Sequence, residues 1–210
     1  MTWYNACNIG LLAIIGIIIT LNFNRILSER KLWVYFLGTY GITELIGTWI
    51  SVQHQSNLWL YNVSRPIQFL FLLIYFSTVL QMSKSRNVYL LIAGVVVIAM
   101  LIISGSINSF NSFGDVVFAA SIVILSVVYF NSIIRSEEPV PLAASEFWYC
   151  SALFTFYGSN LCVNGAMDFL IKNNLAVAHK LFYVIVGNTF VFYFLTMFAL
   201  LSSHKIKPNS

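Results

Sequence analysis

The chain has 210 residues, 59% of them hydrophobic, 16% aromatic and 9% charged, with a mean hydropathy of +0.83 and a formal net charge of +4. Soluble domains carry about 25% charged residues, and no soluble fold hides this much apolar surface, so lipid is the implied solvent. Most of the positive charge falls in short connections, which makes it a topology signal and argues against a nucleic-acid patch.

A backbone in lipid must satisfy its own hydrogen bonds, which leaves helices or a closed barrel. The apolar runs are roughly 17 to 26 residues long and do not alternate, so they read as helices. The expected fold is all-α, one bundle over residues 1–210 with seven membrane spans. They lie at about 3–24, 32–53, 57–82, 88–104, 114–134, 145–165 and 178–202. Trp3 and Tyr4 suit the interface as anchors, and no Lys or Arg precedes the first run, which disfavours a cleaved signal peptide. Pro139 and Pro141 punctuate the connection before the sixth span.

Lys and Arg near the span ends divide unequally. Arg25, Arg30, Lys31, Lys84, Arg86, Arg135, Lys205 and Lys207 fall on one side, and only Lys172 and Lys180 on the other. This places the N-terminus outside and the C-terminus in the cytoplasm. The first three spans do not repeat as the last three, and no soluble output segment follows the seventh.

Glu44 and Arg65 each lie about ten residues from the turn near His54 and Gln55, hence roughly 15 Å below it at 1.5 Å per residue. An unpaired charge at that depth costs about 2.5–3.5 kcal/mol on insertion scales, so the two are expected to pair. Tyr40, Glu44, Thr48, Ser51 and His54 share one helical face, with Gly47 beside them to admit a close neighbour. Asn57, Tyr61, Ser64, Arg65 and Gln68 share another. Pro66 cannot donate to the carbonyl of Asn62, so a kink is expected there. Either the pair locks two helices together, or it marks a site for a ligand, ion or proton.

The sixth span adds Tyr157, Asn160, Asn164 and Asp168, the seventh His179, Tyr183 and Asn188, and the first Asn5 and Asn8. These lie in the outer half or near the middle, whereas 14–19 and 190–201 are nearly pure hydrocarbon and aromatic. The asymmetry suggests an outward-facing polar cavity above a greasy cytoplasmic half. Interhelical hydrogen bonding is the alternative for each Asn taken singly. The spans at 88–104 and 114–134 are the most apolar and are expected at the periphery. Asp115, near a span end, reads as interfacial.

Several chemistries lack their residues. A retinal site needs a mid-membrane lysine in the last span, which reads Val184-Ile185-Val186-Gly187-Asn188-Thr189 there. The three histidines, His54, His179 and His204, do not make a zinc-hydrolase ligand set, and no serine–histidine pair is recognisable. Cys7, Cys150 and Cys162 show neither metal nor disulfide spacing. No metal and no cofactor is expected.

The run Glu44 … Asn57-Leu58-Trp59-Leu60-Tyr61-Asn62 … Pro66-Ile67-Gln68-Phe69-Leu70-Phe71 resembles a pattern in uncharacterised small bacterial seven-helix membrane proteins. The resemblance implies the fold and a bacterial inner membrane, and no function or site. The residues favour a receptor-like or sensory protein that binds a small ligand and signals through a membrane or cytoplasmic partner. Glu44 and Arg65 would recognise the ligand, with Tyr61, Gln68, Asn160, Asn164 and Asn188 shaping the pocket. A small-solute or proton-coupled transporter is the alternative, and an intramembrane lipid-modifying enzyme the third.

Overall fold

The computed structural model describes residues 3–80 apart from 22, Gly94, 112–135 and 144–202. Six helices fall within them: α1 (Trp3–Leu21), α2 (Phe23–Val52), α3 (Leu58–Val79), α4 (Ser112–Arg135), α5 (Ser145–Asn173) and α6 (Leu175–Leu201). The expected span at 88–104, Gly94 apart, lies outside the described residues, so the bundle described here has six helices and not seven.

Two boundaries differ instructively from the sequence reading. The second helix begins at Phe23 rather than 32, because hydropathy marks where a helix enters lipid and not where its hydrogen bonding begins. No Gly or Pro interrupts 23–37, so nothing stops the helix within its charged first turns. Helix α5 likewise runs through Gly165 to Asn173, since one glycine lowers helix stability without ending it. Asn174 alone separates α5 from α6, where its side-chain oxygen accepts a hydrogen bond from the Val177 amide at 3.2 Å. Pro66 sits inside a continuous α3, at a position where an ordinary residue would donate to the fourth carbonyl back.

The closely packed pairs are α1–α2, α2–α3, α3–α4, α4–α5, α5–α6 and α6–α1, which closes a ring. Three helices, over Tyr4–Leu21, Phe113–Arg135 and Leu175–Leu201, are long and apolar enough to cross a membrane. The other three carry the polar stripes that lower their hydropathy, and they turn those stripes inward. On α2, Ile42, Leu45, Ile46 and Trp49 face outward, while Thr43 and Ile50 are buried and Glu44 half-buried. On α3 the outward residues are Trp59, Val63, Ile67 and Leu70. Polar inside and apolar outside is the arrangement lipid favours.

Helix α4 is not peripheral, contrary to expectation. Asp115, Phe118, Ala119, Ile122, Ser126 and Tyr129 are buried along one face, and Ile124, Val127, Val128 and Ile134 are exposed. Between Val116 and Val128 only Ser121 and Ser126 interrupt the apolar run, so hydropathy gave little sign of which face packs. The Phe118 ring meets Phe69 and Tyr157, each with centroids 4.9 Å apart, which ties α4 to α3 and α5.

Candidate functional site

The ring encloses a cavity of about 530 Å³ at the end formed by the start of α1, the α2–α3 turn, the start of α4 and the α5–α6 junction. Pockets of about 300–1,000 Å³ accommodate small ligands. Its wall includes Tyr4 and Asn5 from α1, and Tyr40, Thr43, Glu44, Gly47, Thr48 and Ser51 from α2. Helix α3 contributes Tyr61, Arg65 and Gln68, α4 contributes Asp115, and α5 contributes Tyr157, Asn160 and Asn164. Of the seven residues proposed from sequence, Glu44, Arg65, Tyr61, Gln68, Asn160 and Asn164 therefore line one cavity.

The ion pair differs from the one expected. Arg65 pairs with Asp115 of α4, not with Glu44. Equal depth made Glu44 the natural partner, but a guanidinium rides on a long flexible stem and can climb toward the helix ends to find its acid. Asp115, which reads as interfacial in sequence, is in fact 5% exposed, and its second oxygen, Oδ2, has no hydrogen-bond partner among the described residues. Its place near a span end hid it, since end positions are ordinarily solvated. The one available signal was stoichiometry: a single mid-span arginine against three acids in the sequence, Glu44, Asp115 and Asp168, on the same side of the bundle.

Glu44 is held by neutral donors instead. Asn8 Nδ2 donates to Glu44 Oε2 at 3.2 Å, and Tyr193 Oη donates to Asn8 Oδ1 at 2.6 Å. This relay joins α6, α1 and α2, with Asn8 and Tyr193 buried behind the cavity wall. Gly47 is needed here: a Cβ at that position would lie 2.8 Å from Tyr61 Oη and 3.2 Å from Cζ of the ring. The glycine thus lets the phenol lie flat against α2, one turn from Glu44. The Arg65 guanidinium carbon stands 5.6 Å from the centroid of the same ring, within cation–π range. Asn57, just before α3, donates to the Gly47 carbonyl at 3.0 Å and fixes the turn at the cavity mouth.

Asn188 does not shape the pocket. It is buried between helices, donating to the Phe156 carbonyl at 2.8 Å and toward Asn160 Oδ1 at 3.5 Å. It is interhelical glue. Periodicity located its depth on α6 but not whether its face met the cavity or α5. Gln68 Nε2 donates weakly to Thr43 Oγ1 at 3.4 Å, linking α3 to α2 at the cavity's inner limit. His179 and Tyr183 are exposed, Cys7 and Cys162 are free and exposed, and Cys150 is free and buried.

The inner limit is aromatic. Tyr40 meets Phe156 at 6.4 Å and Phe192 at 5.7 Å, and Phe156 meets Phe192 at 4.9 Å. Beyond them Trp33, with 0% exposure, lies 4.1 Å from Tyr149 and 5.5 Å from Tyr75 between ring centroids. Long side chains thus bridge α2 and α5 across the ring and fill its other half. Among the described residues no group of three or more His, Cys, Asp and Glu side chains gathers as a metal site.

Comparison with protein families, with curated proteins and with solved structures finds no match to this chain. What it does must be argued from the site.

Proposed function

We propose that this chain is a receptor-like or sensory protein of a bacterial inner membrane, crossing it several times and binding a small ligand in the cavity between α2, α3 and α5. The observation that carries the reading is the convergence of six predicted polar residues on one cavity of about 530 Å³. A merely structural polar cluster packs dry, since space beside buried charge forfeits both contacts and solvation. The cavity end faces outward in this reading. Its neighbouring bases are Lys172 and Lys180, whereas Lys31 and Arg135 stand at the opposite end, as the positive-inside rule requires for a cytoplasmic aromatic end. Binding then signals through a membrane or cytoplasmic partner.

The aromatic packing of Tyr40, Phe156 and Phe192 favours binding over transport, because a transported solute needs a second exit. The test is a thermal-stability screen of the purified full chain in detergent against a library of small molecules of every charge. The wild type is compared with Ala119→Trp, which fills the cavity from α4. Hits on the wild type that vanish in the variant are expected. Hits that persist in the filled variant would place binding elsewhere, and solute flux in proteoliposomes would favour the transporter.

A further inference from the structure

The cavity's charges do not balance. Among the described residues its lining holds three charged side chains, Glu44, Asp115 and Arg65. Arg65 is committed to Asp115. That leaves Glu44 with neutral donors only, the amide of Asn8 and the hydroxyl of Tyr61, and Asp115 Oδ2 buried without a partner among the described residues. When both carboxyls are ionised they exceed the one guanidinium, and that excess negative charge is expensive to keep alone in so enclosed a space, so a cation is what it favours.

The apolar part of those walls is largely aromatic, with Leu58, Met167, Ile171 and Ile185 beside the rings. Tyr4, Tyr40, Phe118, Phe156, Tyr157 and Phe182 present rings to the space. The negative faces of such rings favour cations, as Arg65 over Tyr61 already illustrates at 5.6 Å. An anion meets the reverse: the one guanidinium is occupied, and both carboxylates repel it.

We infer that the ligand is a small organic amine bound as its monocation, its ammonium anchored by Glu44, its apolar part against the aromatic wall. This rests on the cavity being a ligand site, and the experiment separates the two claims. An ammonium offers three donors and one positive charge, so it adds a charged partner to the neutral ones Glu44 already has and offsets the excess charge. A hydroxyl or amide supplies donors without the charge, and a carboxylate supplies neither.

The experiment measures the melting shift of the purified full chain with three matched series: primary amines graded from ethylamine to 2-phenylethylamine, the corresponding alcohols, and the corresponding carboxylates. The amines are expected to raise the melting temperature in proportion to their apolar part, with the arylalkyl member best. The alcohols should act at least tenfold more weakly in half-saturating concentration, and the carboxylates not at all. Glu44→Gln should remove the amine shift. Should Glu44→Gln fail to fold, Asn164→Lys places a positive charge in the same wall without removing any carboxylate, and should weaken the amines by a similar factor. Alcohols equal to amines, or carboxylates ahead of them, would overturn the inference while leaving a ligand cavity. An amine shift unchanged in both variants would overturn it as well. No response from any series would overturn both the inference and the reading beneath it.

Discussion

Cut across its helices, the ring has two unlike halves. One holds Glu44, Asp115, Arg65 and a row of amides around open space. The other holds Trp33, Phe36, Tyr75, Phe76 and Tyr149, buried and ring against ring. Helices α2, α3 and α5 supply both, so the difference lies in residue type along each helix and not in the backbone. Between membrane helices lipid withholds the usual hydrophobic drive, and association rests on packing and on interhelical hydrogen bonds. The aromatic half maximises packing. The polar half relinquishes some of it for space, and keeps its helices together with one ion pair, one relay and a glycine contact.

The comparison implies that variants in the aromatic half change stability alone, while variants in the polar half change stability and ligand response together. Arg65→Met is the most severe break. It strands Asp115 as a buried unpaired carboxylate and should cost about 3–5 kcal/mol, read as a lower melting temperature in detergent. Adding Asp115→Asn to it should restore a large part. If the single variant melts within about 1 kcal/mol of wild type, the pair is not desolvated and the polar half is less enclosed than argued.

Trp33→Ala sharpens the other side. Losing a fully buried indole should cost about 3 kcal/mol through lost contacts, with the half-saturating concentration of any cavity ligand unchanged. A shift in ligand response would mean that the halves are mechanically coupled. Gly47→Ala is next. Its methyl would meet Tyr61 Oη at 2.8 Å, so the phenol must move, at about 1–3 kcal/mol and with weakened ligand binding. Tyr61→Phe in that background removes the closest atom and should recover part of the loss.

Asn188→Ala should have the smallest effect, about 0.6 kcal/mol, with no change in ligand response. A loss of ligand response there, at unchanged stability, would return Asn188 to the site and extend the cavity toward α6.

Much of the site was legible because helical spacing is rigid. Residues three and four apart share a face, so Tyr40, Glu44, Thr48 and Ser51 had to point together, and the α2–α3 turn had to bring Tyr61 and Arg65 to comparable depth. Gly47 was legible for the same reason. Pairing was not. Arg65 reaches Asp115 across fifty residues of chain because of how α4 packs, and the long apolar run after Asp115 gives little sign of the face it turns inward. Helix ends were misjudged where charge obscured them, as at Phe23, or where glycine suggested a stop, as at Gly165.

By itself, then, the sequence determined the apolar character, the helical class and the polar stripes, because composition and a 3.6-residue period act locally. Only the tertiary structure decided which stripe met which. It gave Arg65 to Asp115, left Glu44 to Asn8, and turned Asn188 into a tie between helices. Partnership depends on the rotation and height of whole helices, which are fixed by packing summed over every contact rather than by any one residue.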